Sequence, residues 1–260
     1  MTQEERRVCL IQYLLKEDLK YSKQPIPESK EGQERLLRTL MNLRVPKPIK
    51  PEFLKIQDEY LAERNEERGI VDIEDLKPVE SDSRLYIWQG DITMLKCDAI
   101  VNACNSQMLG CFSPMHGCID NFIHTYAGIE LRLKMYEIMS EQGHSEETGK
   151  AKITSAYNLP AKYILHTVGP IIQRMVSKED EELLASCYRE CLKLAADTGA
   201  KSIAFCCLST GVFRFPQQRA AEIATQTVRE FLDSDNRIEK VIFNVFKDRD
   251  LQIYQSLLSK

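Results

Sequence analysis

Residues 98–105 read Asp-Ala-Ile-Val-Asn-Ala-Cys-Asn, a short apolar run that gives way to polar side chains. Such a run is typical of a strand that is buried on both faces of a parallel sheet. Similar runs recur from Arg84 onward and alternate with helical patterns, which indicates an α/β sheet with helices on both faces. The expected strands cover residues 85–88, 99–103, 163–168, 202–208 and 241–246. The predicted fold class is therefore α/β.

Helical patterns separate these strands. The expected helices cover residues 119–139, 178–197, 216–231 and 248–258. Gly199 follows the second of them, where a glycine commonly ends a helix. Pro216 is expected as the first residue of the third, because proline is tolerated at that position.

The first 80 residues differ from the rest. Leucine and isoleucine recur at helical spacing in residues 8–15 and 36–43, and prolines then precede a polar helix over about residues 52–67. This pattern predicts a helical N-terminal extension over residues 1–80 that packs its apolar stripes against a main domain over residues 84–260. A charged connector over residues 72–82 is expected between them.

Composition excludes several classes of function. The chain has 260 residues, with 35 Lys and Arg against 39 Asp and Glu. That balance gives no cationic footprint for binding nucleic acid. No run approaches the roughly 20 apolar residues that cross a bilayer, and the N-terminus has no signal-peptide core. We expect a cytoplasmic protein without nucleic-acid or membrane partners.

Nine cysteines, an odd number in a long chain, are expected to be reduced thiols. Five of them lie in apolar helical or strand-like patterns and are interpreted as small core residues: Cys9, Cys187, Cys191, Cys206 and Cys207. Some of the others are candidates for binding a metal.

Four polar segments follow expected strands, and ligands bind at the carboxyl ends of strands in open α/β folds. These segments are residues 89–93, 102–105, 208–213 and 246–248. Together with further motifs they resemble the macrodomain family, which binds ADP-ribose. The matching motifs are residues 90–93, 98–105, 149–154, 163–170 and 209–216. The resemblance covers about residues 84–260 and implies a three-layer α/β/α macrodomain fold with a mixed central sheet.

The chain departs from the general family at residues 110–121, where a glycine-rich loop is usual. Here Cys111, His116 and Cys118 form a Cys-x4-His-x-Cys pattern, whose thiolates and imidazole suit Zn²⁺. This loop is similar to that of the zinc-dependent macrodomains, the branch that removes ADP-ribose from proteins. The resemblance implies Zn²⁺ as cofactor, and a partner such as a lipoylated glycine-cleavage-H-like carrier protein modified by a sirtuin.

Two kinds of zinc site fit the pattern. A closed structural site needs a fourth protein ligand, for which Cys104, Asp120 and His124 are within reach in the sequence. A catalytic site has three protein ligands and an open position, and the resemblance places it beside the distal ribose. We expect the catalytic kind.

The resemblance also implies how ADP-ribose is held. The Asp91 carboxylate would accept the adenine amino group, the Ile92 amide would donate to the ring, and Phe246 would stack on it. Asn105 would bind the distal ribose. Asp91 as a turn cap and Asn105 as a turn residue are the plain alternatives. Successive N–H groups before the helix near residue 216 would bind the diphosphate, from Ser209, Thr210, Gly211, Val212 and Phe213.

The expected activity is hydrolysis of the bond between the distal ribose C1″ and an oxygen of a mono-ADP-ribosylated protein, which releases ADP-ribose. Asn105, Asp120 and Asn121 are the candidates for catalytic roles, and Asp120 alternatively orients a ligand histidine. Buried in an apolar run, His166 is interpreted as a core residue. A reader that binds ADP-ribose around a structural zinc is the alternative, and a metal or redox sensor without nucleotide affinity is the third possibility.

Overall fold

The computed structural model of the protein describes residues 1–259, so Lys260, the last residue of the expected main domain, lies outside the described residues. Three helices form the N-terminal extension: α1 (Gln3–Glu17), α2 (Lys30–Leu43) and α3 (Pro51–Arg68). Thr2 and Ser29 cap the first two helices with their hydroxyl oxygens, and Pro51 occupies the first turn of α3. The extension is helical, as predicted.

The strands of the described residues are β1 (Val71–Asp72), β2 (Pro78–Val79), β3 (Asp82–Gln89), β4 (Leu95–Lys96), β5 (Ala99–Ala103), β6 (Ala151–Ser155), β7 (Tyr163–Thr167), β8 (Ser202–Phe205) and β9 (Lys240–Val245). Seven of them form the central sheet, in the order β2-β3-β9-β8-β5-β7-β6. The edge strands β2 and β6 pair antiparallel and the inner pairs are parallel. The sheet is therefore mixed, as expected, and its carboxyl ends gather at one edge.

Helices cover both faces of the sheet and give three layers. They are α4 (Ile119–Ala127), α5 (Ile129–Gln142), α6 (Lys178–Asp197), α7 (Gln217–Ser234) and α8 (Asp248–Leu258). Alternate strand residues face opposite layers. In β5, Val101 packs into the cluster that includes residues of α6 and α7, and Ile100 into the one that includes residues of α4 and α5. This alternation confirms the predicted α/β/α fold.

The expected helix over residues 119–139 is two helices, and Gly128 separates them. Its φ of 101° favours glycine, and a Cβ there would lie 2.6 Å from the Gln57 side chain of α3. Gln57 accepts a hydrogen bond from the Ile129 N–H, at 2.9 Å. The break is therefore where α3 approaches the main domain.

Other differences lie at ends and edges. The strand expected over residues 202–208 ends at Phe205, because the chain turns there and the Thr210 N–H bonds the Cys207 carbonyl, at 3.4 Å. Pro216 caps α7 and is not its first residue. The connector over residues 72–82 contains β2 and part of β1, which pair with β3 and β4.

The extension packs against the main domain. Apolar side chains from its three helices form a cluster that includes Leu10, Leu37 and Tyr60, and Ile129 of α5 completes that cluster. The apolar stripes therefore pack mainly against one another, and only partly against the main domain as predicted. Within residues 1–259, no helix combines the length and apolar character that crossing a membrane requires.

Candidate active site

A cleft of about 650 Å³ opens at the carboxyl ends of β3, β5, β8 and β9. It is lined by all the residues expected to bind the ligand: Asp91, Ile92, Asn105, Ser209, Thr210, Gly211, Val212, Phe213 and Phe246. The three expected metal ligands line it too. Parallel strands bring these distant segments to one edge of the sheet, as the sequence analysis anticipated.

One end of the cleft carries Asp91 and Phe246. Asp91 caps a short 3-10 helix, because its Oδ1 accepts hydrogen bonds from the Thr93 N–H (3.0 Å) and Thr93 Oγ1 (2.7 Å). The other oxygen, Oδ2, accepts from Nη2 of Arg68 at the end of α3, at 2.5 Å. The turn-cap alternative is therefore present in the structure, and it leaves Asp91 in the lining of the cleft. Phe246 is 73% exposed, with its ring open to a ligand.

The loop after β8 presents backbone donors to the middle of the cleft. Ser209 has a positive φ of 61° and Arg214 the same value, and between them the chain bends tightly. Within residues 1–259, the N–H groups of Gly211, Val212 and Phe213 donate to no protein acceptor. Successive free backbone donors of this kind hold phosphate groups in other proteins.

The other end of the cleft carries the Cys-His-Cys set. One ligand atom from each of Cys111, His116 and Cys118 lies within 4.8 Å of the other two, and Cys111 Sγ is 3.6 Å from His116 Nδ1. The three ligand atoms form a triangle. They need to move only slightly closer together to share one ion with Zn–S bonds of about 2.3 Å and a Zn–N bond of about 2.0 Å. Within the part of the chain that the structure describes, this is the only such group. The donor set therefore fits Zn²⁺.

Cys118 begins α4. Its Sγ accepts a hydrogen bond from the Asn121 N–H at 3.4 Å, so the thiol sits at the positive end of the helix. Burial raises the pKa of the Cys118 thiol to about 12, and the Cys111 thiol nearby acts in the same direction. Binding a metal at this sulfur therefore releases a proton.

None of the residues considered for a fourth ligand joins the triangle. Cys104 is buried and donates from Sγ to the Thr167 carbonyl, at 3.3 Å. His124 is buried behind Gly110, where a Cβ would lie 2.7 Å from the imidazole. Asp120 accepts from Asn102 Nδ2 at 2.8 Å and lies 3.6 Å from His124 Nε2. Burial raises the pKa of Asp120 to about 6.

The three candidates for catalytic roles lie in different places. Asn105 and Asp120 line the cleft. Asn105 Oδ1 also accepts from the Gln107 N–H at 3.0 Å, which is the expected turn alternative. Asn121 does not line the cleft; it is fully buried, and its amide group bonds residues of α2 and of the loop before α4.

His166 is a core residue in the structure, as interpreted from the sequence. It is fully buried, with Nε2 2.9 Å from Thr154 Oγ1 and Nδ1 3.2 Å from Asn102 Nδ2. Burial lowers its pKa to about 3, so the ring is neutral.

Three polar residues of the extension were missed by sequence reasoning. Arg68 contacts Asp91 at one end of the cleft, and Arg38 and Asn42 of α2 contact the loop of the Cys-His-Cys set at the other. The spacing of residues within a helix does not predict such contacts, because the contacting partners lie between 23 and 83 residues away in the sequence.

Comparison with known proteins agrees with this geometry. The family model for the Macro domain matches residues 101–224. A protein-ADP-ribose hydrolase from Treponema medium is 55% identical over the whole length of both chains. The chain belongs to the macrodomain family.

Further relatives place this macrodomain more closely. A protein-ADP-ribose hydrolase from Staphylococcus aureus strain MRSA252 is 52% identical, over 90% of this chain and 88% of its own. The structure of a Trypanosoma brucei macrodomain in complex with ADP-ribose is 31% identical, with a TM-score of 0.67, and the match covers 89% of this chain and 96% of that one. The structure of an Oceanobacillus iheyensis macrodomain with ADP is 38% identical, with a TM-score of 0.61. That match covers 70% of this chain and 92% of the other.

Proposed function

We propose that this macrodomain is a zinc-dependent hydrolase that removes mono-ADP-ribose from an oxygen of a modified protein. One observation supports the proposal most strongly: Cys111, His116 and Cys118 form a compact donor set in the wall of the same cleft that carries the expected nucleotide-binding residues. A metal site and a ligand cleft that share one wall favour chemistry on the ligand over a purely structural metal.

The cleft can hold ADP-ribose along its length. Adenine would stack on the exposed Phe246 ring and donate its amino group to Asp91, which Thr93 and Arg68 hold in place. The diphosphate would accept from the free N–H groups of residues 211–213. The distal ribose then extends toward Asn105 and the Cys-His-Cys set.

The reaction breaks one bond and forms another. The oxygen of a water molecule bonds to C1″ and gives up a proton, the bond from C1″ to the protein oxygen breaks, and that oxygen takes up a proton. A bound Zn²⁺ supplies Lewis acidity, and its two thiolate ligands make it a mild Lewis acid, suited to polarising or positioning the leaving oxygen. Asn105 would orient the distal ribose, and Asp120, fixed by Asn102, would orient ribose or water at the wall of the cleft.

The proposed substrate class is a mono-ADP-ribosylated protein. Two relatives more than half identical to this chain are named protein-ADP-ribose hydrolases, and both match at least 88% of their own length. The resemblance of the Cys-x4-His-x-Cys loop makes a lipoylated glycine-cleavage-H-like carrier protein the first substrate to test. The products would be ADP-ribose and the unmodified protein.

The test compares the wild-type chain with Cys118→Ser, measuring zinc content and the release of ADP-ribose from a mono-ADP-ribosylated protein. We expect the wild type to hold one zinc ion and release ADP-ribose, and the variant to lose both. Hydrolysis by the metal-free variant would contradict the zinc-dependent mechanism. ADP-ribose binding by a zinc-loaded wild type that releases nothing from modified proteins would favour the reader function, which Asp91 and Phe246 support equally.

A further inference from the structure

We propose that helix α2 of the N-terminal extension positions the metal-binding loop, and that Arg38 and Asn42 are its positioning residues. The inference rests on the proposed zinc function and deepens it. It assigns the extension a role in building the site, whereas the sequence suggested only an appendage with an apolar contact face.

Asn42 hydrogen-bonds the metal-binding loop, residues 111–118. Its side chain is 1% exposed, and its Oδ1 accepts hydrogen bonds from the Met115 N–H (3.1 Å) and from Asn121 Nδ2 (3.0 Å). Its Nδ2 donates to Thr125 Oγ1 of α4 at 3.1 Å. One side chain therefore joins α2, the loop and α4, and both its oxygen and its nitrogen take part.

Arg38, one helical turn before Asn42, makes a second set of contacts with the loop. Its Nη2 donates to the carbonyl oxygen of His116 (3.1 Å) and to Asn121 Oδ1 (2.6 Å). Its guanidinium carbon lies 4.3 Å from the centre of the Phe122 ring. This contact holds the backbone from which the His116 imidazole projects.

Asn121, expected to take part in catalysis, lies between these two residues. Its Oδ1 accepts from Arg38, and its Nδ2 donates to Asn42 and to the Ser113 carbonyl at 3.0 Å. Its backbone N–H donates to Cys118 Sγ. The buried amide therefore links α2 to both ends of the loop and to one metal ligand.

Apart from the Phe112 ring, whose centre lies 4.3 Å from the Arg132 guanidinium carbon, little else orders the loop. Ser113, Pro114, His116 and Gly117 are exposed, and a single backbone bond closes a turn within it, from the His116 N–H to the Ser113 carbonyl at 3.2 Å. Met115 has a positive φ of 57°, which residues other than glycine rarely adopt. The Met115 N–H donates to Asn42, so this hydrogen bond holds the loop at the residue whose backbone conformation is least favourable by itself.

The experiment uses the full chain with Arg38→Ala, Asn42→Ala and, as a matched control, Arg35→Ala. Arg35 is an exposed arginine on the same helix, one turn before Arg38. Zinc affinity is measured by competition with a chelator. Hydrogen exchange of residues 113–117 is measured on the metal-free proteins, and melting temperature reports on folding.

We expect zinc affinity to fall about 10-fold to 100-fold in Arg38→Ala and Asn42→Ala, the range typical when a group that orients a metal ligand is lost. The Met115 amide should exchange faster in Asn42→Ala, and Arg35→Ala should match the wild type in both measurements. Arg38→Lys keeps the charge but loses the two-acceptor fork, so its zinc affinity should lie between those of the wild type and Arg38→Ala.

Wild-type zinc affinity in folded Arg38→Ala and Asn42→Ala would overturn the inference. If Asn42→Ala does not fold, the comparison of Arg38→Ala, Arg38→Lys and Arg35→Ala decides it alone. A wild type that binds no zinc would refute the proposed function; unchanged loop exchange in the metal-free variants would then refute the positioning role separately.

Discussion

Replacing Phe246 by alanine should weaken ADP-ribose binding without altering stability. The side chain is 73% exposed and lines the cleft. A phenylalanine offers roughly 200 Å² of surface, and stacking on one face would cover about 70 Å² of it. At about 25 cal/mol per Å², that burial contributes about 1.8 kcal/mol, which is a roughly 20-fold rise in the dissociation constant. Because the ring is exposed in the free protein, the free energy of unfolding should change by no more than about 0.5 kcal/mol.

Titration calorimetry with ADP-ribose measures the effect. Phe246→Trp, which keeps an aromatic face, should bind ADP-ribose nearly as well as the wild type. Tyr136→Ala is the matched control, because Tyr136 is an aromatic residue of α5 that is 50% exposed and lies outside the lining of the cleft. A dissociation constant for Phe246→Ala within twofold of the wild-type value would refute stacking of adenine at this position.

Three more substitutions test other parts of the site and the core. Arg68→Ala removes a charge-assisted hydrogen bond that holds the Asp91 carboxylate, worth about 1.5 kcal/mol. If all of that positioning is used in binding, ADP-ribose should bind roughly tenfold more weakly by calorimetry; an unchanged affinity would show that Arg68 does not position the carboxylate. Gly169→Ala would place a Cβ 2.0 Å from Ser209 Oγ, so the hydroxyl must rotate or the loop must shift, and ADP-ribose binding should weaken; adding Ser209→Gly, which suits the φ of 61°, should restore it, and a double variant no better than Gly169→Ala would contradict this reasoning. His166 has its pKa lowered by burial to about 3, from 6.5, so its stabilisation is complete above pH 6.5 and declines by about 1.4 kcal/mol per pH unit as the pH falls toward 3. The free energy of unfolding of His166→Gln, measured by chemical denaturation at several pH values, should lack this part of the pH dependence. The same pH dependence in the variant and the wild type would refute a lowered pKa for His166.

The sheet and the cleft were predictable because each depends on local pattern. The runs that became β5, β7, β8 and β9 are buried on both faces, so they appear in the sequence as mostly apolar segments. In β3 only Leu85 and Tyr86 are buried, and they lie in the apolar run expected over residues 85–88. The residues that follow them meet at one edge, which is a consequence of parallel pairing and requires no knowledge of side-chain contacts. The edge strand β6 was missed, because its half-buried residues mix Lys, Thr and Ser with Ala and Ile.

The contacts between the extension and the site were not predictable, because they are non-local and polar. Apolar periodicity shows which face of a helix is buried, and it does not identify the partner. Asn121 comes just after the last expected metal ligand, Cys118, which suggested a catalytic role, yet its side chain bonds Arg38 and Asn42. The break at Gly128 likewise depends on Gln57, which lies 71 residues earlier in the chain.

A crystal structure of the full chain with ADP-ribose, recorded with anomalous scattering at the zinc edge, tests the central claim most directly. It should show one zinc ion bonded to Cys111, His116 and Cys118, with sulfur distances of about 2.3 Å. Its fourth position should face the C1″ carbon of the distal ribose. A protein side chain in that position, or an ion remote from the ribose, would contradict the enzymatic account.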